Sequence, residues 1–177
     1  MGLFEIFKND IKTYIETGTW SGHSIQKALD AGFDKIYSCD INQECVDKAK
    51  ELYKDKSNVF IECNPSKVDV YNFLNGINER CVFFLDGHFM PYDETNQDLG
   101  FGKETTQEGL PPSPPMDELE VIATHNIKTH IILIDDYKCF GSWMFGGITF
   151  DQVKDKIMSI NPAYSWTIVG NTACFYL

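Results

Sequence analysis

A glycine-containing turn flanked by two acidic residues is the part of this sequence best suited to chemistry. The letters Glu-Thr-Gly-Thr-Trp-Ser-Gly occupy positions 16–22, directly after a β-rich run, and a second predicted strand ends at Asp40. Gly18 and Gly22 allow the backbone to turn sharply and a ligand to approach it closely. Asp40 can accept hydrogen bonds from ribose hydroxyls. This strand, turn, helix and strand therefore predict a site for the ribose end of a nucleoside cofactor.

The spacing of the two glycines differs from that of a dinucleotide-binding turn. Such a turn carries three glycines, spaced G-x-G-x-x-G, and holds a pyrophosphate at a helix N-terminus. Here the carboxylate of Glu16 would repel a pyrophosphate, but it suits an ammonium or hydroxyl group. The alternative interpretation is an ordinary turn between a strand and a helix, in which Gly18 and Gly22 serve only the chain reversal.

Acidic residues also follow two strongly apolar segments further along the chain. Asp86 follows one of them, and Asp135 and Asp136 follow the other. In a parallel sheet these strand ends share one edge with Gly18 and Asp40, so three carboxylates would converge there and repel each other unless they shared a cation. Oxygen ligands alone suit a hard ion, which predicts Mg²⁺ by preference, with Mn²⁺ and Ca²⁺ as alternatives.

His88 is the candidate proton acceptor, two residues after the first of these acids. Histidine has an unperturbed pKa of about 6.5, which suits a general base. The alternatives are a loop histidine bonded to backbone for His88, and a solvated strand end with a helix cap for Asp135 and Asp136. His125 and His130 flank a turn between a helix and a strand, and we expect both to be solvated.

Alternating apolar segments and amphipathic segments predict the elements that position these residues. Strands are predicted over residues 12–16, 35–40, 58–62, 81–85 and 130–134, with a closing hairpin of 164–169 and 173–177. Helices are predicted near the N-terminus and over 24–31, 44–53, 68–74, 116–125 and 150–160. This order indicates a single α/β domain, residues 1–177, with a doubly wound, seven-stranded, mostly parallel sheet and a C-terminal antiparallel hairpin. Asp117, Glu118 and Glu120 are interpreted as an acidic first helical turn, favoured by the helix dipole.

Two parts of the sequence resemble known families. The segment 16–22 resembles motif I of the class I S-adenosylmethionine-dependent methyltransferases, acid-x-Gly-x-Gly-x-Gly, with Trp20 at the middle glycine. Residues 86–89 (Asp-Gly-His-Phe) and 134–137 (Ile-Asp-Asp-Tyr) resemble the metal-binding pair of the macrocin O-methyltransferase family, sugar-modifying enzymes within class I. The first similarity extends to the order of elements along the whole chain, whereas the second is confined to these two tetrads.

The resemblance implies roles for individual residues. It implies that S-adenosyl-L-methionine is bound by Glu16, Gly18, Gly22, Asp40, Ile41, Asn64, Ser66 and Asp86. Ile41 would pack on the adenine ring, with Asn64 and Ser66 near its edge. It also implies that Mg²⁺ is bound by Asp86, Asp135 and Asp136. His88 stands where the sugar-modifying family has an acidic general base.

The function implied is metal-assisted O-methylation of a small, hydroxylated, sugar-like acceptor. The metal would lower the pKa of the acceptor hydroxyl, and His88 would take its proton. Two alternatives stay open. Trp20 in the motif leaves room for a degenerate protein that binds the nucleoside without transfer, and an acidic crevice with a histidine also suits a metal-dependent hydrolase.

The composition limits which classes of partner and which cellular compartment are expected. The 177 residues carry a formal net charge of −11 and no basic run, which disfavours a nucleic-acid groove. Six cysteines without a C-x-x-C pair predict free thiols in a reducing compartment. No apolar run is long enough to span a membrane, so a cytoplasmic protein acting on a small molecule is expected. The pattern does not indicate an oligomeric state.

The segment 89–115 is predicted to be a long loop. It is acidic and ends in a proline-rich stretch. Connections of that length between elements of an α/β unit are commonly lids. We therefore expect it to close over the acceptor.

Overall fold

Seven strands form one mixed sheet in the computed structural model, which describes residues 2–88 and 113–177. They are β1 (Thr13–Thr17), β2 (Lys35–Cys39), β3 (Val59–Glu62), β4 (Cys81–Leu85), β5 (Ile131–Ile134), β6 (Ser165–Val169) and β7 (Thr172–Tyr176). Their order across the sheet is β3-β2-β1-β4-β5-β7-β6. The first five are parallel, and β7 is antiparallel to both β5 and β6. The predicted sheet and its closing hairpin are confirmed.

Six α-helices within the described residues cover the two faces of the sheet. They are α1 (Leu3–Lys8), α2 (His23–Asp30), α3 (Gln43–Leu52), α4 (Ser66–Leu74), α5 (Pro115–Thr124) and α6 (Phe150–Ile160). Apolar side chains of α1–α3 belong to one buried cluster, and those of α4–α6 belong to another. Two short 3-10 helices, Tyr137–Cys139 and Trp143–Phe145, follow β5. The sequence analysis did not predict them, because single turns carry no helical periodicity.

The central strands are apolar on both faces because helices cover both sides. Successive residues of β1 show this, since Ile15 belongs to the cluster of α4–α6 and Tyr14 to the cluster of α1–α3. The Tyr14 ring centroid lies 5.0 Å from that of Phe4 and 5.3 Å from that of Phe33. β4 and β5 are buried along their whole lengths. The sheet is therefore a rigid support for the residues at its carboxyl edge.

The strand order places a crevice between the carboxyl ends of β1 and β4. The chain winds outward from β1 through β2 to β3, and then from β4 through β5 on the other side, so the connections diverge at this point. Gly18 follows β1, and a Cβ atom on it would lie 2.5 Å from the backbone oxygen of Asp86, which follows β4. Only glycine permits this contact. The turn after β1 and the acid after β4 therefore line the same crevice.

The prediction that His125 and His130 are both solvated is wrong for His130, which is fully buried at the opposite edge of the sheet. The backbone N–H of Cys81 donates to His130 Nδ1 at 3.0 Å, so the Nε2 atom carries the proton. His130 Nε2 lies 2.8 Å from His125 Nδ1, and His125 Nε2 lies 2.8 Å from the carbonyl oxygen of Ile77. The pair forms a hydrogen-bonded relay that satisfies the backbone N–H of Cys81 and the carbonyl of Ile77.

The long loop predicted over 89–115 leads into α5. Residues 89–112 lie outside the described part of the chain, and the lid prediction lies there with them. Ser113 donates from its hydroxyl to the carbonyl oxygen of Gly87 at 3.0 Å. Pro115 is the first residue of α5, a position where its fixed φ and missing N–H are tolerated.

All six cysteines are free thiols, and four of them are buried. Burial raises the pKa of the Cys45 and Cys81 thiols to about 12, so neither is a reactive thiolate. Within residues 2–88 and 113–177, no helix has both the length and the apolar character needed to cross a bilayer.

Candidate active site

Alternate residues of the turn after β1 have left-handed backbone conformations. The φ angles are +83° at Gly18, +40° at Trp20 and +76° at Gly22. Motif I has glycine at all three places, and these angles give the physical reason, since a side chain at positive φ costs about 1–2 kcal/mol. Trp20 adopts the conformation despite this cost, and 46% of its surface is exposed. The substitution therefore keeps the shape of the turn.

Asp40 holds this turn from the end of β2. Its Oδ2 accepts a hydrogen bond from the backbone N–H of Trp20 at 2.8 Å, and its Oδ1 accepts one from Asn42 N at 2.9 Å. Burial raises the pKa of Asp40, although these bonds to the carboxylate oppose the rise. Each carboxylate oxygen has a further lone pair. Asp40 can therefore accept ribose hydroxyls while it still holds the turn.

Glu16 lies beneath the turn, which differs from the prediction that it faces the ligand. Its side chain is fully buried, and burial raises its pKa to about 7. Tyr14 donates to Glu16 Oε2 at 2.8 Å, and Ser38 donates to Oε1 at 2.7 Å. Since the Ser38 proton is used, Thr19 must donate to the Ser38 oxygen, 2.5 Å away. Glu16 therefore anchors the turn through Ser38 and Thr19 and lies below the ligand surface.

The residues predicted near adenine lie in the segments that follow β2 and β3. Ile41 is half-buried, and its carbonyl oxygen accepts a weak hydrogen bond from the Cys63 thiol at 3.8 Å. Asn64 donates from its amide to Asp69 Oδ1 at 2.9 Å. Ser66 is the first residue of α4, and its hydroxyl oxygen is buried without a hydrogen-bond partner among the described residues. These loops form the β2–β3 side of the crevice.

Asp86, His88 and Asp136 form a cluster on the other side. One ligand atom from each residue can be chosen so that all three lie within 4.8 Å of one another. His88 Nε2 is 2.9 Å from Asp136 Oδ2 and 3.8 Å from Asp86 Oδ1. Burial, and then the nearby Asp135 carboxylate, raise the pKa of Asp86 to about 8. The hydrogen bond with His88 lowers the pKa of Asp136.

Asp135, predicted as a metal ligand, is outside this cluster. Its Oδ1 accepts a hydrogen bond from the Thr172 hydroxyl at 2.8 Å, and Asp136 Oδ1 accepts one from the Asn171 amide at 2.8 Å. The pairing of β5 with β7 explains both contacts, because Ile134 faces Ala173 and the same register continues past the strand ends. The hairpin turn thus orients both acids. Asn171 and Thr172 are positioning residues that the sequence analysis missed.

The donor set of the cluster is two carboxylate oxygens and one imidazole nitrogen. The sequence analysis predicted an oxygen-only set, with Asp135 where the structure has His88. Carboxylates alone favour Mg²⁺ or Ca²⁺, whereas an imidazole ligand shifts the preference toward Mn²⁺ and later transition metals. The residues present therefore fit a divalent cation, with Mn²⁺ favoured over Ca²⁺.

An aromatic wall stands beside His88. Its ring centroid lies 6.0 Å from that of Phe145, which in turn lies 4.3 Å from that of Phe140. Both phenylalanines belong to the segment of 3-10 helices after β5. Phe145 is buried and supports the imidazole from behind, whereas Phe140 is half-buried and provides the apolar surface against which the ring of an acceptor could pack.

Glu118 is a further acidic residue at the crevice, and helix-dipole reasoning did not distinguish it from its neighbours. Asp117 and Glu120 lie at the surface, 3.6 Å and 3.4 Å from the Lys67 ammonium, as expected for an acidic first turn. Glu118 is instead 1% exposed. Burial raises its pKa to about 7. Its side chain points into the protein because it lies on the face of α5 that packs against the sheet.

Comparison with solved structures identifies the fold. A putative caffeoyl-CoA O-methyltransferase from Staphylococcus aureus superposes with a TM-score of 0.64 at 12% identity, covering 99% of this chain and 81% of the other. An O-methyltransferase from Bacillus cereus in complex with SAH gives 0.61 at 13% identity, covering 99% and 77%. An SAH-bound Podospora anserina methyltransferase gives 0.56 at 14% identity, covering 98% and 76%.

The architecture is therefore the class I methyltransferase fold. At these identities the likeness concerns the fold alone. No family model matches the sequence, and no curated protein matches it either.

Proposed function

We propose that this protein is an S-adenosylmethionine-dependent methyltransferase that methylates a hydroxyl group of a small acceptor. The observation that carries the proposal is the contact between Gly18 and Asp86. A Cβ at position 18 would lie 2.5 Å from the Asp86 carbonyl oxygen, so the nucleoside turn and the acid–histidine cluster share one crevice. A methyl donor bound on one side would meet an acceptor bound on the other.

The cofactor would be held by the turn after β1 and by the segments that follow β2 and β3. The glycines of the turn allow its close approach, Asp40 would accept the ribose hydroxyls, and Ile41 and Asn64 would flank the adenine. Glu16 would act from below by keeping the turn in shape. When bound, the cofactor supplies an electrophilic methyl group on a sulfonium.

The acceptor would be activated by the acid–histidine cluster on the other side of the crevice. His88 would accept the hydroxyl proton, and Asp136, 2.9 Å from His88 Nε2, would orient the imidazole and stabilise its protonated form. A divalent cation would in this case be held by the carboxylates of Asp86 and Asp136 alone, because an imidazole nitrogen cannot both ligate a metal and accept a proton, and it would supply Lewis-acid stabilisation of the acceptor oxygen. The half-buried Phe140 would pack against the rest of the acceptor. The resemblance of residues 86–89 and 134–137 to the macrocin enzymes supports a sugar-like acceptor.

A metal-dependent hydrolase is the second candidate, because the cluster of Asp86, His88 and Asp136 alone would suit it. The two functions differ in their need for the turn after β1. A hydrolase would keep its metal-dependent activity when Asp40, on the other side of the crevice, is replaced by Ala, whereas a methyltransferase would lose affinity for its cofactor.

Calorimetric titration with S-adenosylhomocysteine tests the proposal. Wild-type protein should bind it, and Gly18→Ala should abolish binding because the new Cβ would collide with the Asp86 carbonyl. Gly76→Ala is the matched control, since Gly76 has φ +94° but no atom within 4 Å of its Cβ position. It imposes the same backbone strain away from the crevice. A wild-type protein that binds no S-adenosylhomocysteine contradicts the proposal.

A further inference from the structure

The outer edge of β6 is unpaired in the described part of the chain, because β6 is the last strand of the sheet. A two-residue turn joins β6 to β7, so Val169 and Thr172 form a hydrogen-bonded pair. Along an antiparallel strand, the backbone groups of successive residues point to opposite sides. The N–H and C=O groups of Trp166 and Ile168 therefore face away from β7, toward the position of a further strand.

This edge lacks the features that usually prevent one strand from pairing with another. Charged side chains, prolines and bulges protect most exposed edges. The five residues of β6, Ser-Trp-Thr-Ile-Val, include no charge and no proline, and their register with β7 is continuous. The opposite edge strand, β3, has only four residues and ends at Glu62, whose carboxylate lies 4.0 Å from the Lys50 ammonium. Of the two edges, β6 is therefore the one suited to pairing.

Trp166 gives the β6 edge an apolar surface on the face that α6 covers. Its ring centroid lies 5.3 Å from that of Phe150 in α6 and 6.3 Å from that of Phe175 in β7, yet 39% of Trp166 is exposed. Ile168 follows on the same face and is partly buried against the same cluster. A strand added to β6 would remove more of both side chains from water.

A second copy of β6 matches this edge residue by residue. If two copies run antiparallel about a two-fold axis at Thr167, Trp166 of each copy lies opposite Ile168 of the other, and the two residues exchange backbone hydrogen bonds. The two Thr167 side chains then face each other. Aromatic–β-branched pairs and Thr–Thr pairs both stabilise antiparallel sheets. Each chain carries a net charge of −11, so an uncharged strand is a favourable place for two copies to meet.

We propose that the protein forms a homodimer in which the two β6 strands pair about Thr167 and join the two sheets into one. This inference is independent of the proposed function. One strand pair is a small contact, so the association should be weaker than that of a standard interface. The hairpin that includes β6 also carries Asn171 and Thr172, which hold Asp136 and Asp135. Pairing at β6 would therefore stabilise the segment that orients both acids.

Analytical ultracentrifugation of wild-type protein at concentrations up to about 1 mM tests the association. The dimer fraction should increase with concentration, and should increase further with added salt, because salt screens the repulsion between two acidic chains. Thr167→Lys should remain monomeric, since it places two like charges directly opposite each other at the axis. Thr167→Val is the matched control. It keeps an uncharged β-branched side chain at this exposed position and should still form the dimer.

Cysteine substitution at the axis tests the register of the pair. Two Thr167→Cys chains would bring their thiols together in a non-hydrogen-bonded pair, where the Cβ atoms are close enough for a disulfide. Mild oxidation should therefore link the dimer covalently, as seen on a non-reducing gel. Ser165→Cys is the control, because residue 165 would lie opposite Val169 of the other copy. Wild-type protein, with its six free cysteines, gives the background.

Three results would overturn the proposal. Wild-type protein that stays monomeric up to about 1 mM leaves the edge to a different partner. A dimer that persists in Thr167→Lys has its interface elsewhere, and so does one that Ser165→Cys links as readily as Thr167→Cys. Should Thr167→Lys fail to fold by circular dichroism, the comparison of the two cysteine variants decides the matter.

Discussion

The imidazole of His88 and the carboxylate of Asp136 meet on one side of the crevice, with Nε2 and Oδ2 2.9 Å apart, although they follow different strands. Asp136 reaches this position because its backbone is left-handed, with φ +52°, and because Asn171 holds its other oxygen at 2.8 Å. The C-terminal hairpin therefore controls the geometry of the acid–histidine cluster. When no metal is bound, this contact favours the His88 tautomer that carries its proton on Nε2, facing Asp136.

Removal of Asp136 should weaken divalent metal binding more than removal of Asp135. Asp136→Asn should lower Mn²⁺ affinity by at least about tenfold, because it removes a charged ligand and changes its bond to His88. Asp135→Asn should have the smaller effect, since Asp135 is outside the ligand cluster and is bonded to Thr172. Electron paramagnetic resonance titration of free Mn²⁺ measures both. A larger loss in the Asp135 variant would support the oxygen-only site predicted from the sequence.

The left-handed backbone at position 20 should make glycine more favourable than alanine there. Trp20→Gly should unfold with a free energy about 1 kcal/mol higher than Trp20→Ala, because glycine adopts φ +40° without a Cβ penalty. Both variants lose the indole, so the comparison isolates the backbone. Urea denaturation of the two proteins gives the difference. Equal stabilities would show that position 20 is not held in the left-handed region.

Glu118 should limit the stability of the unliganded protein. Both carboxylate oxygens of Glu118 are buried without a hydrogen bond in the described part of the chain, and Glu118→Met removes them while it keeps a similar shape, so the free energy of unfolding should rise by about 1 kcal/mol or more. Glu120→Met is the control, and its exposed position predicts a change within about 0.5 kcal/mol. A Glu118→Met protein that is less stable than wild type would mean that the carboxylate is already partnered.

The buried histidine pair should make the protein less stable in acid. Burial, and then the neighbouring His125, lower the pKa of His130 to about 3, whereas the unfolded chain titrates near 6.5. Between these values the unfolded state binds a proton that the folded state does not, so stability falls as the pH falls through this window. Arg80 and Lys128 add to the effect, because both disfavour a second positive charge.

A variant isolates this contribution from the carboxyl groups. The pKa values of Glu16 and Glu118 are raised to about 7, so the folded protein holds these protons more tightly than the unfolded chain does. Their contribution to the free energy of unfolding therefore increases as the pH falls, which opposes the effect of His130. His130→Asn keeps an acceptor for Cys81 N but cannot take up a proton. Its loss of unfolding free energy from pH 7 to pH 5 should be smaller than that of wild type. His23→Asn, at an exposed position, is the control variant. If the pH dependence of stability in His130→Asn equals that of wild type, the acid effect does not come from His130.

Local sequence patterns determined the elements and their order. Apolar runs and helical periodicity depend on neighbours in the chain, so the strands, the helices and the closing hairpin were predicted within a few residues. The turn after β1 was equally readable, because left-handed positions select glycine at Gly18 and Gly22. Strand order then follows from the alternation of strands and helices, and with it the edge at which Asp40 and Asp86 lie.

The tertiary structure decided which side chains meet at that edge. The register of β5 with β7 turns Asp135 toward Thr172 and leaves Asp136 for His88, and no local pattern contains that pairing. Glu118 has the same sequence context as its acidic neighbours, yet the packing of α5 against the sheet buries it alone. The direction of a side chain at a strand end depends on residues distant in the sequence, so only the folded chain defines the site.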